Sequence, residues 1–109
     1  MADNDSVILI AEDKGKKIGQ IRFDINRKAD IAEVDIAIIP MCRGKGYGVK
    51  LLKMGCKYAF ERLHIKRVIA HIKPENEISV ITFSNAGFLN CGYVDYKAQK
   101  CVEMVLENE

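Results

Sequence analysis

At 109 residues the chain is expected to form one domain, residues 1–109, large enough to bury a core without disulfide or metal staples. Seventeen basic and 15 acidic residues leave a net charge of +2, too balanced for a nucleic-acid or polyanion binder. No apolar run approaches the length of a membrane span, and the start Met1-Ala2-Asp3-Asn4-Asp5 is acidic, unlike a signal peptide, so a cytoplasmic location is the expectation. Cys42, Cys56, Cys91 and Cys101 include no Cys-x-x-Cys pair, which argues against a structural zinc site and for free buried thiols.

Ser6 to Glu12 reads as a first strand, closed by the turn-like Asp13-Lys14-Gly15-Lys16-Lys17. Ile18 to Asn26 alternates, with Ile21, Phe23 and Ile25 on one face and Gln20, Arg22 and Asp24 on the other. A turn at Arg27 to Asp30 leads to a third strand, Ile31 to Ile39, so these segments make an antiparallel meander. Pairing Asn26 with Ile31 sets Arg22 opposite Asp35 and Asp24 opposite Glu33, two carboxylates side by side where a raised pKa is expected. Val49 to Leu63 has the apolar stripe of a helix, and Arg67 to Ile72 follows as a strand parallel to the third. Asn76 is placed to cap a second helix that runs through Phe83 towards Ala86-Gly87. Strands at Leu89–Asp95 and Lys97–Leu106 finish an α/β chain of six strands and two main helices.

Between the third strand and the first helix lies Pro40-Met41-Cys42-Arg43-Gly44-Lys45-Gly46-Tyr47-Gly48. Glycines at alternate positions let backbone come close to a ligand, and a helix N-terminus favours an anion. The pattern is neither the P-loop, since Gly46 follows Gly44-Lys45 where Lys-Ser or Lys-Thr is needed, nor the dinucleotide fingerprint, whose third glycine is missing.

Arg43-x-x-Gly46-x-Gly48, with Pro40 ahead of it, resembles the pyrophosphate loop of the GNAT superfamily of acetyl-CoA-dependent N-acetyltransferases. The segment from Asn76 to Phe88 resembles that family's second signature: an asparagine opening a helix, the small Ser79, the aromatic Phe83, and Gly87-Phe88 at the exit. Together they cover nearly the whole chain from Ser6 onward. The resemblance implies a GNAT-like, mixed and mostly antiparallel sheet. The chain departs from the pattern in opening at what resembles the family's second strand, which implies a trimmed member or one once joined to another domain. It also carries Phe83 where many members have a tyrosine that protonates the leaving thiolate.

By resemblance, backbone N–H groups from Arg43 to Gly48 (Arg43, Gly44, Lys45, Gly46, Tyr47, Gly48) hold the pyrophosphate. A bulge at Ile38 and Ile39 exposes groups for the pantetheine arm and the thioester carbonyl, and Asn76 and Phe83 flank the cofactor. Acetyl-CoA is then the co-substrate, with no metal. Amine transfer needs a base: Glu33 sits where some members carry a glutamate base, or else it is one residue of a solvated face. Asp35 is poorer because Arg22 can engage it, and His71 is a further candidate beside a structural reading. The implied acceptor is a small primary amine, first an amino sugar or sugar nucleotide. The alternative is a non-catalytic acyl-CoA-binding module. A homodimer or a fused partner domain would cover an exposed sheet face.

Overall fold

Alternating side chains build the sheet. The computed structural model describes residues 4–108, so Met1-Ala2-Asp3 lie outside them. Strands β1 (Asn4–Asp13), β2 (Lys16–Asn26) and β3 (Ile31–Ile38) form the antiparallel meander. Helix α1 (Tyr47–Arg62), strand β4 (Arg67–Ile72), helix α2 (Glu77–Asn85) and strands β5 (Leu89–Tyr96) and β6 (Gln99–Glu107) follow. The sheet order is β1-β2-β3-β4-β6-β5. The last strand therefore enters beside β4 and leaves β5 at the edge.

The register of the meander is the one its hydrophobic pattern demands. Asn26 faces Ile31, Arg22 faces Asp35, and Asp24 faces Glu33. Ile21, Phe23 and Ile25 of β2, with Ala32 and Val34 of β3, turn to the helices and join one core with Leu52, Cys56 and Ala59 of α1. Phe83 and Ala86 of α2 and Val102 and Met104 of β6 complete it. The opposite face carries Arg22, Asp24, Glu33, Asp35, His71 and Glu103, and no helix covers it among the described residues.

Most elements shift by one or two residues at an end from the sequence expectation, and three differences have a clear physical reason. Helix α1 starts at Tyr47 rather than Val49, because Gly46 at +80° in φ is its N-cap. Strand β6 starts at Gln99 rather than Lys97, because Lys97 and Ala98 both take positive φ in the β5–β6 turn. That turn normally uses Asn-Gly, so its sequence gave no signal. Strand β3 carries no bulge at Ile38 and Ile39: pairing runs unbroken to Gly19 with Ile38, and Ile39 N–H donates to Ile18 O at 2.8 Å.

Gly19 marks a close approach of β2 to β3. A Cβ there would lie 2.3 Å from the Ala37 carbonyl oxygen, a backbone atom that cannot turn aside. Gly19→Ala is expected to cost about 1–3 kcal/mol, as overpacking does. Urea unfolding should show this as a lower midpoint at unchanged slope.

Candidate functional site

The site begins where the sheet splits. Strands β3 and β4 run parallel but pair only from Ile31 to Glu33 against Arg67 to Ile69. Beyond that seam they diverge, and β4 continues to pair with β6 on its other side. Because Ile39 N–H faces β2, backbone alternation turns the N–H groups of Ile36 and Ile38 towards the gap. The expected exposure of backbone groups is thus present at Ile38, but divergence of the strands provides it rather than a bulge. Ile39 does not share it, since its N–H is taken by Ile18.

At the open end of the gap stands the glycine loop. Gly44 and Gly46 have φ of +77° and +80°, a region costly for residues with a Cβ, and open space surrounds both. Gly48 has another use: a Cβ there would sit 3.0 Å from Thr82 Cγ2, so it lets α1 approach α2. Helix α1 has no acidic residue in its first turn and no side-chain cap, and its opening N–H groups have no intrahelical partner. A cleft of about 570 Å³ joins these parts, lined by Ile36, Ile38, Arg43, Gly46, Asn76 and Ser79 among others.

The other expected cofactor residues occupy defined places. Arg43 N–H is taken by Pro40 O, and its side-chain Nε donates to Ile38 O at 3.1 Å, so the arginine braces the loop against the strand end. Lys45 is exposed and outside the lining. The Tyr47 hydroxyl donates to Asp13 Oδ2 at 3.2 Å, which ties the helix start to β1 and raises the phenol above its ordinary pKa. Asn76 caps α2 by accepting Ser79 N–H at 3.3 Å. Phe83 is a core residue, 3% exposed, packed edge-on against Phe88 with ring centroids 5.0 Å apart.

At the closed end of the gap, the helix-free face gathers a second group. Tyr96 donates its hydroxyl to Glu33 Oε1 at 2.5 Å, and its ring stacks on His71 at 4.0 Å. The bond to Glu33 raises the Tyr96 phenol above its ordinary pKa. His71 Nε2 lies 3.2 Å from Glu103 Oε2, and His71 Nδ1 lies 3.7 Å from Glu33 Oε2. Glu33 and His71 thus come together, as the sequence reading only listed them separately. Tyr96 and Glu103 were missed, because their strands meet β4 through an order that no local pattern fixes.

Two expectations about the neighbouring charges are corrected. Arg22 does not engage Asp35; it turns along its own strand to Asp24, at 3.1 Å from Oδ1. Asp24 is not raised by facing Glu33. Its carboxyl is held below the usual range, first by the Ser6 hydroxyl, which donates to Oδ1 at 2.6 Å, and also by Arg22, against the opposing effect of desolvation. Ser6 faces Asp24 in the β1–β2 register, a pairing that the sequence reading did not draw.

The family model described as acetyltransferase (GNAT) family matches residues 1–88. The chain belongs to that family. Its sequence is 30% identical over 94 residues to the spermidine N(1)-acetyltransferase of Vibrio cholerae, covering 84% of this chain and 54% of that protein. It is 37% identical over 73 residues to an N-acetyltransferase 9-like protein of Nematostella vectensis, covering 64% of this chain and 37% of that one. This GNAT chain therefore spans about half the length of the first relative and less of the second. Its structure superposes on the Vibrio cholerae spermidine N-acetyltransferase solved with CoA and spermine at a TM-score of 0.84 and 26% identity, over 94% of this chain and 65% of that one. An aminoglycoside acetyltransferase solved with coenzyme A and kanamycin gives a TM-score of 0.84 at 20% identity, over 94% and 66%, and that likeness concerns the GNAT fold alone.

Proposed function

We propose that this GNAT chain transfers an acetyl group from acetyl-CoA to a small primary amine. The observation that carries the reading is the β3–β4 gap, which has a positive-φ glycine loop and helix N-terminus at one end and Glu33 at the other. The parts present suit the co-substrate. The N–H groups of Gly44 to Gly48 and the α1 dipole suit a pyrophosphate, and the N–H groups of Ile36 and Ile38 suit an amide-bearing arm laid along β3. Acetyl-CoA supplies an activated thioester carbonyl. A donor held against such a carbonyl oxygen is worth roughly 3 kcal/mol, and Ile36 and Ile38 have free donors on the gap side.

Glu33 is the base in this reading. An amine is mostly ammonium at neutral pH, and a placed carboxylate that takes its proton contributes about 10² to 10⁴-fold. With Phe83 buried in the core, no hydroxyl at that position assists the departing thiol. A thiol pKa of about 8.5 makes such help useful rather than essential.

The acceptor side is a hollow of about 350 Å³ on the helix-free face, lined by Asp5, Asp24, Glu33 and His71. Asp5 is paired with Arg27 and Asp24 with Arg22, which leaves Glu33, bonded by the Tyr96 hydroxyl, to meet a cationic amine. We place polyamines, the substrate in the name of the Vibrio cholerae relative, beside the amino sugars that the sequence suggested. The test is thiol release from acetyl-CoA with spermidine, spermine and a glucosamine-type sugar, run beside acetyl-CoA titration calorimetry. Turnover of one of these amines is expected. Tight acetyl-CoA binding with no thiol released from any of them would convert the chain into a binding module.

A further inference from the structure

The two carboxylate oxygens of Glu33 have different surroundings. Oε1 accepts the Tyr96 hydroxyl at 2.5 Å. Oε2 lies 3.7 Å from His71 Nδ1, beyond hydrogen-bond distance, and accepts no hydrogen bond among the described residues. The side chain is 38% exposed and lines the acceptor hollow, so an incoming ammonium meets a carboxylate with one oxygen engaged and one free. The same tyrosine fixes what stands beside the free oxygen: its ring stacks on His71 with centroids 4.0 Å apart and planes 14° apart.

Tyr96 reaches Glu33 from two strands away, since β6 and β4 lie between β5 and β3. The β5–β6 hairpin continues past the last β4 pair, Ile72 with Val102, which frees its tip to bend over the helix-free face. The turn at that tip is strained. Lys97 and Ala98 hold φ of 49° and 63°, a left-handed conformation costly for residues with a Cβ. Lys97 Nζ folds back to 5.1 Å from the Tyr96 ring centroid. Such strain persists where surrounding contacts hold it, and Tyr96 supplies both a hydrogen bond to β3 and a ring contact to β4.

We propose that Tyr96 is the positioning residue of the acceptor base: its hydroxyl engages Glu33 Oε1 and leaves Oε2 as the oxygen that takes the ammonium proton. This deepens the transferase reading above and rests on it. One proton moves from the acceptor ammonium to Oε2, and the freed amine attacks the thioester carbonyl. The amide forms as the carbon–sulfur bond breaks, and the second amine proton leaves with the thiol. Oε2 then gives its proton to water directly, because the carboxylate borders the open hollow. No proton crosses His71, which serves as the surface the Tyr96 ring stacks on. The other charged or titratable groups facing Glu33 are Asp24 across β2, Asp35 along β3 and His71 from β4, with Glu103 of β6 behind it and Lys97 beside Tyr96.

One arm of the test needs no turnover. The bond to Glu33 raises the Tyr96 phenol, so NMR of the full chain with ring-labelled tyrosine should show it titrating above the ordinary phenol range. Tyr96→Phe assigns the signal, and Glu33→Gln, which removes the charge, should bring the titration down. A Tyr96 titration that Glu33→Gln leaves unmoved overturns the proposal. In the kinetic arm Tyr96→Phe keeps the ring on His71 and removes only the hydroxyl. It is expected to lower kcat about 10-fold at unchanged KM for acetyl-CoA, as a misplaced base does. It should also move the acid limb of the pH–rate profile to higher pH, because a hydrogen bond to a carboxylate favours its charged form. In a Glu33→Gln background the same change should cost nothing further, since it acts through Glu33. Parent-like rates at every pH, or a loss additive with that of Glu33→Gln, would overturn the role and leave the transferase reading intact. Turnover of no amine would remove that reading, and this role with it.

Discussion

Gly46→Val is expected to weaken acetyl-CoA binding about 100-fold or more while leaving the fold in place. The N-cap of α1 sits at +80° in φ, where a residue with a Cβ is strained by roughly 1–2 kcal/mol and a β-branched one by more. Nothing lies within 4 Å of the new Cβ, so no core contact is lost and the strain is relieved by moving the loop. That movement turns away the N–H groups proposed above to hold the pyrophosphate. Hydrogen bonds to a charged group are worth about 1.5–3 kcal/mol each, and each 1.4 kcal/mol is tenfold in affinity, so losing two reaches the stated effect. Titration calorimetry on both proteins measures it, with circular dichroism as the check on folding. Unchanged affinity would remove the loop from the site.

Glu33→Gln is expected to lower the acetylation rate by about 10² to 10⁴-fold near neutral pH, with the gap narrowing as pH rises. The sign follows from the substrate. A primary amine with a pKa of about 10.4 is roughly one part in 2,500 free base at pH 7, and that fraction grows tenfold per unit of pH. Without a base the variant depends on this fraction, so its rate should climb with unit slope while the parent changes less. Glutamine still accepts the Tyr96 hydroxyl, so the site keeps its shape. The check is a pH–rate profile from neutral to alkaline with an amine shown to be a substrate. A loss that stays constant across pH would reduce Glu33 to one residue of a polar sheet face.

Much of the fold was legible because period and register are local properties. The alternation of Ile21, Phe23 and Ile25 fixed which face of β2 is buried, and the short turn before Ile31 then determined every pairing down to Arg22 with Asp35. The glycine loop was legible for the same reason: its spacing states where the backbone must be free. What did not show is everything set by the divergence of β3 and β4. A splay leaves no residue pattern of its own, so the sequence reading expected a bulge at Ile38 and Ile39 instead of gap-facing N–H groups at Ile36 and Ile38. The Glu33–Tyr96–His71–Glu103 group was invisible as a unit, since β3, β5, β4 and β6 contribute one residue each from distant parts of the chain. Charge pairing was misjudged for a different reason: the sequence shows which side chains share a face, but not that Ser6 and Arg22 both settle on Asp24.

The seam between β3 and β4 is three residue pairs long, whereas β1–β2 and β2–β3 pair along nearly their whole lengths. The sheet is therefore two cooperative halves stitched at one point and bridged by the helices. Opening of such a seam breaks few hydrogen bonds, so the gap-facing amides of Ile36 and Ile38 belong to the low-stability end of the molecule and should exchange with solvent ahead of those of Asp35 and Ala37, which face β2. A ligand laid in the gap would touch both halves. At a concentration 100 times its dissociation constant it adds about 2.7 kcal/mol to the closed state, a large share of a small domain's stability. Heat-scanning of such a protein reads occupancy of the gap as a change in how sharply, as well as how late, its two halves melt together.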